Sequence, residues 1–375
     1  MNLIPLDQVQ EQLKPGAPLP WNVRDGQGTL LLAKGIVVAD NNTFTHLLHR
    51  GAFVDAAEVR RNTEEAVVPA LQPFTTRWVT VQDRLGGVLQ MAEQSSFITK
   101  LTELIKPVRL LTDENADELI FLILRHDHSR YSNYGIAHSM HTAALCGLLA
   151  KRMGWSDQQR HSLVGASLTM NLSILQLQGV LAGRGSPPTP AERQKIQEHP
   201  SASAQILRNC GLTDEAWLNA IEHHHEVPGG KGYPHGIEDP DEMSQLVRFC
   251  DSFIAKHSPR RGRAPLPAHQ AARDLFVQGS GNPVASLLIK ELGIYPPGCF
   301  VKLASGEIAI VTNRGETAKT PVVAALTNRQ GDALSQPIRR DTSSADHAIV
   351  TTVSDDAVRF KVSAEVLYER RAQNR

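Results

Sequence analysis

Net charge is what this chain most plainly lacks. Its 375 residues carry 39 Lys and Arg against 39 Asp and Glu. No bulk field draws in nucleic acid or a membrane surface, so an anionic ligand must be small and locally held. Cysteine is scarce. Cys146, Cys210, Cys250 and Cys299 are widely spaced with no C-x-x-C pair, which speaks against a disulfide frame or a cysteine-zinc knuckle and for reduced core thiols. No run reaches the ~18 apolar residues of a membrane span, and Met1 to Gln8 has neither a basic nor an apolar leader region. These absences predict a cytoplasmic protein with no nucleic-acid and no membrane partner. Biased tracts are absent too, and 41% hydrophobic content over this length can bury more than one core.

The hydrophobic period changes along the chain. Residues 1–55 alternate short apolar runs with turns: Leu19 to Val23, Asp25 to Gly28, Thr29 to Ala33, and Ile36 to Val38 after Gly35. That pattern predicts a small β-rich module closed by a helix near Asn42 to His49. Residues 56–112 are polar and interrupted by Pro69 and Pro73, with amphipathic spacing from Leu85 to Ile105, so they read as a linker and a helix. From 113 to 290 the period is helical, with segments near Asp113 to Arg125, Ala137 to Met153, Asp157 to Leu177, Ala191 to Cys210, Asp214 to His224, Met243 to Ile254 and Pro267 to Gln278. Thr189, Pro190 and Glu192 spell a helix start, since threonine can cap, proline suits the first turn and the glutamate can reach back. After Gly293 strands return over residues 291–365: Cys299 to Leu303, a turn at Ser305 and Gly306, Ile308 to Val311, and Pro321 to Leu326, ending in a polar tail. The expected architecture is mainly α, a helical bundle flanked by small β-rich modules at both ends.

Among the 15 histidines, most single ones are expected to be packed or surface residues, but one set stands out. His138, His199, His224, His225 and Asp251 fall on four helical segments, and a bundle can aim such residues at one cavity. Imidazole and carboxylate ligands suit zinc, iron, manganese or nickel without choosing among them. His224, His225 and Glu226 run into Gly230, Lys231, Gly232, Tyr233 and Pro234, a helix end followed by a glycine-rich turn, which suits a metal-dependent phosphate site.

These motifs resemble, in order and over residues 113–290, the HD-GYP domain, an all-α bundle related to the HD phosphohydrolases. Its active members hydrolyse cyclic di-GMP with two or three metal ions. The resemblance implies that His138 is the first metal ligand, His199 before Pro200 the middle histidine, His224 and His225 with Gly232, Tyr233 and Pro234 the signature, and Asp251 the late metal aspartate. It also implies that Lys231, Arg260 and Arg263 pair with phosphates. The stretch from Leu292 to Leu303 is similar to the β module that often follows such domains.

The departures fall at the chemical centre. Where the family has a His-Asp pair and a following lysine, the run from Gly165 to Ile174 places Met170, Asn171 and Ile174. Asparagine offers one neutral oxygen in place of a bridging carboxylate, a thioether is a soft ligand, and isoleucine cannot donate. Gly229 stands where an aspartate is usual, Gly262 where an aromatic is usual between the two arginines, and Tyr134 where three-metal members place a glutamate. His126 and Asp127 form a His-Asp pair on the wrong side of His138 and read as a coincidental helix end, and His141 as surface packing. The surviving imidazoles His199, His224 and His225 can hold a single divalent transition ion, so metal-free and one-metal forms both stay open. Three roles follow: a cyclic di-GMP sensor or regulator with lost or weak phosphodiesterase activity, a scaffold docking on a GGDEF diguanylate cyclase or a motility component, or a residual metal-dependent phosphodiesterase or phosphatase.

Overall fold

A computed structural model gives the fold. It describes residues 73–125, 131–279, 282–358 and 362–368 and, within the first 72, residues 3–6, 8–9, 19, 21–33, 36, 51–56, 58–59 and 72. The chain divides into two compact units, Met1–Gln72 and Pro73–Arg375.

In the first unit, β1 (Leu3–Pro5), β2 (Val23–Arg24), β3 (Leu30–Leu32) and β4 (Phe53–Asp55) form an antiparallel sheet of order β1-β4-β2-β3. Leu6, Leu19, Trp21, Val23 and Val54 make its core. The expected turn is present, because the Asp25 carboxylate accepts from the backbone N–H of Gln27 and of Thr29, each at 2.9 Å. The helix expected at Asn42 to His49 lies outside the described residues, as do Val37 and Val38.

The second unit is a helical bundle. Where a linker and one helix were expected, two helices stand: α1 (Phe74–Leu89) and α2 (Phe97–Glu114). Phe74, Trp78, Val81 and Leu85 recur at helical spacing and face the core, while Thr76, Thr80, Asp83 and Arg84 between them are exposed; residues 60–71, which also carried the linker reading, lie outside the described residues. Next come α3 (Ala116–Leu124), α4 (Tyr134–Arg152), α5 (Asp157–Thr169), α6 (Leu175–Arg184), α7 (Pro190–Asn209), α8 (Glu215–His223), α9 (Glu242–His257), α10 (Ala268–Gln278) and α11 (Pro283–Leu292). The start of α7 carries both halves of its capping box, Thr189 accepting from the Glu192 N–H and Glu192 from the Thr189 N–H. Helix α4 is central, with every residue from Ala137 to Ala150 buried. This corrects the reading of His141, which is 1% exposed and stacks on Trp78 at 5.7 Å. The pair His126 and Asp127 lies outside the described residues.

The single helix expected from Asp157 to Leu177 is broken. Asn171 and Ile174 leave helical geometry around a short 3₁₀ turn, Leu172–Ile174. The break is held to α7: the Ser173 N–H donates to Ser203 Oγ at 3.1 Å, and the Ser173 hydroxyl to the His199 carbonyl at 3.2 Å. By length and composition the whole stretch Asp157–Arg184 could cross a membrane, but 67% of its apolar window is buried inside the protein, which fits a core segment.

Close packing fixes α5 against α8. A Cβ built on Gly165 would lie 2.5 Å from the Trp217 ring. That ring is fully buried and its Nε1 donates to Thr169 Oγ1 at 2.9 Å, so it cannot slide away. Alanine's gain in helix propensity, ~1 kcal/mol, therefore opposes a larger overpacking cost. Gly165→Ala is expected to destabilise the protein by about 1–2 kcal/mol, measured by chemical denaturation; an unchanged midpoint would show the Trp217 pocket to be compliant.

The chain closes with an antiparallel sheet of order β8-β7-β6-β5-β9, made of β5 (Phe300–Leu303), β6 (Ile308–Asn313), β7 (Val322–Thr327), β8 (Ala333–Asp341) and β9 (Ile349–Val353). The last two strands fall within the expected polar tail. They read as polar because both are edge strands, largely exposed. A short helix α12 (Ala364–Tyr368) follows, and Tyr368 packs edge-on against Phe121 of α3 at 5.4 Å. Arg314, just past β6, donates to Asp117 of α3 and to the buried Glu291 of α11, each at 2.5 Å. Glu291 also accepts from Arg152 of α4 at 3.0 Å. The bundle and the sheet thus share a charged seam. The four cysteines are free; Cys146 and Cys250 are buried, Cys210 and Cys299 half-buried.

Candidate functional site

Pro200 prepares the first imidazole. Lacking an N–H, it leaves the Ile196 carbonyl four residues back without its helical donor. The His199 Nδ1–H donates to that carbonyl at 2.5 Å. At the end of α8 the same device recurs, His224 Nδ1–H donating to the Ile221 carbonyl at 2.6 Å. With both Nδ1 atoms committed as donors, both Nε2 atoms carry lone pairs, and these face each other at 3.1 Å. His225 completes the group: one ligand atom from each of the three rings lies within 4.8 Å of the others. Burial lowers the pKa of all three, with the neighbouring imidazoles adding to it for His199 and His225; His199 falls to about 3. Three neutral, converging imidazoles, those of His199 and His224 oriented by backbone carbonyls, fit a divalent transition ion.

His138 and Asp251 lie beside this trio and pair with each other through one ring nitrogen, while the buried His138 Nδ1 has no hydrogen-bond partner among the described residues. His138 Nε2–H donates to Asp251 Oδ1 at 2.7 Å, both residues being buried. Burial alone would raise the Asp251 pKa, yet the His138 hydrogen bond and the nearby imidazoles hold it well below the usual carboxylate range. Met170 is fully buried in the hydrophobic core. Asn171 and Ile174 line a cavity of 180 Å³ together with Tyr134, His138, His199, His225, Tyr233, Asp251 and Arg260. Asn171 Nδ2 is buried with no hydrogen-bond partner among the described residues, a donor that a ligand oxygen would satisfy.

The glycine-rich turn is built on Glu226, whose role the sequence did not reveal. This carboxylate is fully buried and accepts from the backbone N–H of His235 at 2.7 Å, Gly236 at 3.1 Å and Ile237 at 3.1 Å. Gly232 is sterically required, since a Cβ there would sit 2.4 Å from the Glu226 Cα and the Val227 nitrogen. Tyr233 follows, its ring stacked on His225 at 4.6 Å, and the Tyr233–Pro234 bond is cis. Tyr134 does more than replace an acid: it stacks on His138 at 5.8 Å and accepts from Arg260 Nε at 3.1 Å and Nη2 at 2.9 Å. The other two expected phosphate partners stand apart from the cavity. Lys231 is exposed. Arg263 donates to the carbonyls of Ala255 and Ser258 at the end of α9.

The HD domain family matches residues 111–279, the segment that carries all five candidate ligands. The chain is 28% identical over 221 residues to a cyclic di-GMP phosphodiesterase of Pseudomonas aeruginosa, covering 55% of this chain and 53% of that one. It is 29% identical over 143 residues to the 3'3'-cGAMP-specific phosphodiesterase 3 of Vibrio cholerae, covering 37% and 31%. The chain thus spans about half or less of the length of these relatives. A solved structure of an HDG"Y"P protein from Bdellovibrio bacteriovorus covers 76% of this chain and 96% of its own at 16% identity, with a TM-score of 0.49.

Proposed function

We propose that this HD domain protein works in cyclic dinucleotide signalling in the cytoplasm as a sensor or regulator, holding one divalent transition ion and turning over little or no nucleotide. The carrying observation is the asymmetry of the site. Three imidazoles converge, while His138 and Asp251 pair with each other and the bridging position holds the neutral Asn171. One ion at the trio would supply Lewis acidity to a phosphate oxygen, whereas in-line hydrolysis by a metal pair needs a second position that these residues do not offer. The choice of a cyclic dinucleotide rests on what the relatives in Pseudomonas and Vibrio are named for. At 180 Å³ the cavity is smaller than the ~300 Å³ at which pockets for drug-sized ligands begin. It would enclose a phosphate beside Arg260 and the Tyr134 and Tyr233 rings, with the bases lying outside.

Calorimetry with cyclic di-GMP on protein of measured metal content tests this. We expect saturable binding, at most about one transition ion per chain, and no detectable hydrolysis. Asn171→Asp should raise the metal content towards two, because it returns the bridging carboxylate to the cavity wall. Robust metal-dependent turnover in the unmodified protein, abolished by His225→Ala, would overturn the sensor reading. Folded protein that ignores the nucleotide would favour a docking role on a GGDEF or other signalling protein.

A further inference from the structure

Away from the histidines, α10, α11 and the C-terminal sheet enclose a groove of 600 Å³, within the ~300–1,000 Å³ typical of small-molecule sites. Its lining includes the apolar side chains of Ala272, Ile289 and Ile294 and the ring of Tyr295. Ile289 and Ile294 are 36% and 46% exposed, aliphatic side chains left open on one surface. The rim is cationic. His269 and Arg273 sit one turn apart on α10, Lys290 of α11 lines the same groove, and no carboxylate lines it. Elsewhere in this unit Arg152, Arg314 and Arg340 are each tied to a glutamate. Arg273 and Lys290, by contrast, carry no hydrogen bond or ion pair among the described residues. A second cavity of 410 Å³ shares His269 and Thr352 with the groove, leaving room for a longer apolar tail.

We infer that this groove is a binding site for a small organic anion with an apolar body, of the alkyl phosphate or alkyl carboxylate class. The aliphatic wall removes the body from water, and the unpaired guanidinium and ammonium meet the head group. The site shares no lining residue with the histidine cavity, and its test does not depend on the reading of that cavity.

The probe is octyl phosphate, below its micellar concentration, titrated calorimetrically into the full chain. One saturable site is expected, weakening as salt is raised, while octanol, lacking the head group, binds at least tenfold more weakly. The double variant Arg273→Glu with Lys290→Glu, both exposed positions, should retain its thermal transition and metal content and lose affinity at least tenfold; Arg273→Lys should retain most of it. Sedimentation with phosphatidylcholine vesicles containing phosphatidic acid separates a soluble anion, which leaves the protein in solution, from a lipid-borne one, which pulls it down. Absence of saturable octyl phosphate binding, equal affinity for octanol, or an unaltered affinity in the folded double variant would overturn the assignment.

Discussion

Glu226→Ala is expected to cost about 3–4 kcal/mol of stability and to dismantle the turn from Gly229 to Ile237. The carboxylate takes three backbone donors, on His235, Gly236 and Ile237. Hydrogen bonds to a charged acceptor contribute ~1.5–3 kcal/mol each, and solvent recovers part of the loss because these amides are only half-buried. Glu226→Gln keeps one acceptor oxygen at the same length and should cost roughly half as much. Chemical denaturation measures both. If alanine and glutamine behave alike, the charge contributes nothing and the turn is held by its glycines. The loss should reach the site, because Tyr233 stacks on His225 from this turn.

Metal-free protein should lose stability as the pH falls below about 6.5. Buried His199 titrates near 3 in the fold against an ordinary value of 6.5. Above 6.5 the ring is neutral in both states and contributes no pH dependence. Between 6.5 and 3 only the unfolded chain takes up the proton, so each pH unit removes about 1.4 kcal/mol, or about 3 kcal/mol by pH 4.5. His224 and His225 are shifted in the same direction. Asp251 adds a second loss lower down: its depressed pKa stabilises the fold above the ordinary carboxylate range, and that share disappears as acid protonates it. Denaturation of metal-stripped protein between pH 7.5 and 4.5 gives the profile. A flat curve would mean that the imidazoles are charged or hydrated in the native state.

The helices were legible where amphipathic spacing and caps agreed, as at Thr189, and the candidate ligands where histidine and aspartate recurred on separate helices. What escaped the sequence has a common physical origin. The start of α1 read as a linker because its outward residues are polar, and β8 and β9 read as a tail because most of their residues are exposed or half-exposed. The break after Thr169 depends on Ser173 meeting Ser203 and the His199 carbonyl, contacts 30 and 26 residues away in sequence. Lys231 could be placed on the right turn, but only the folded turn shows that it stands outside the cavity. Nothing local marks Glu226 as the holder of the turn, since its partners lie nine to eleven residues ahead.

The seam around Arg314 bears on how this protein can be dissected. A fragment ending near residue 290 would match the helical repeat and the family limits. It would also strip Asp117 of its cation, remove Glu291 from beside Arg152, and leave the Phe121 ring without Tyr368. The smallest faithful excision is therefore the whole of Pro73–Arg375, in which the sheet serves as one wall of the bundle.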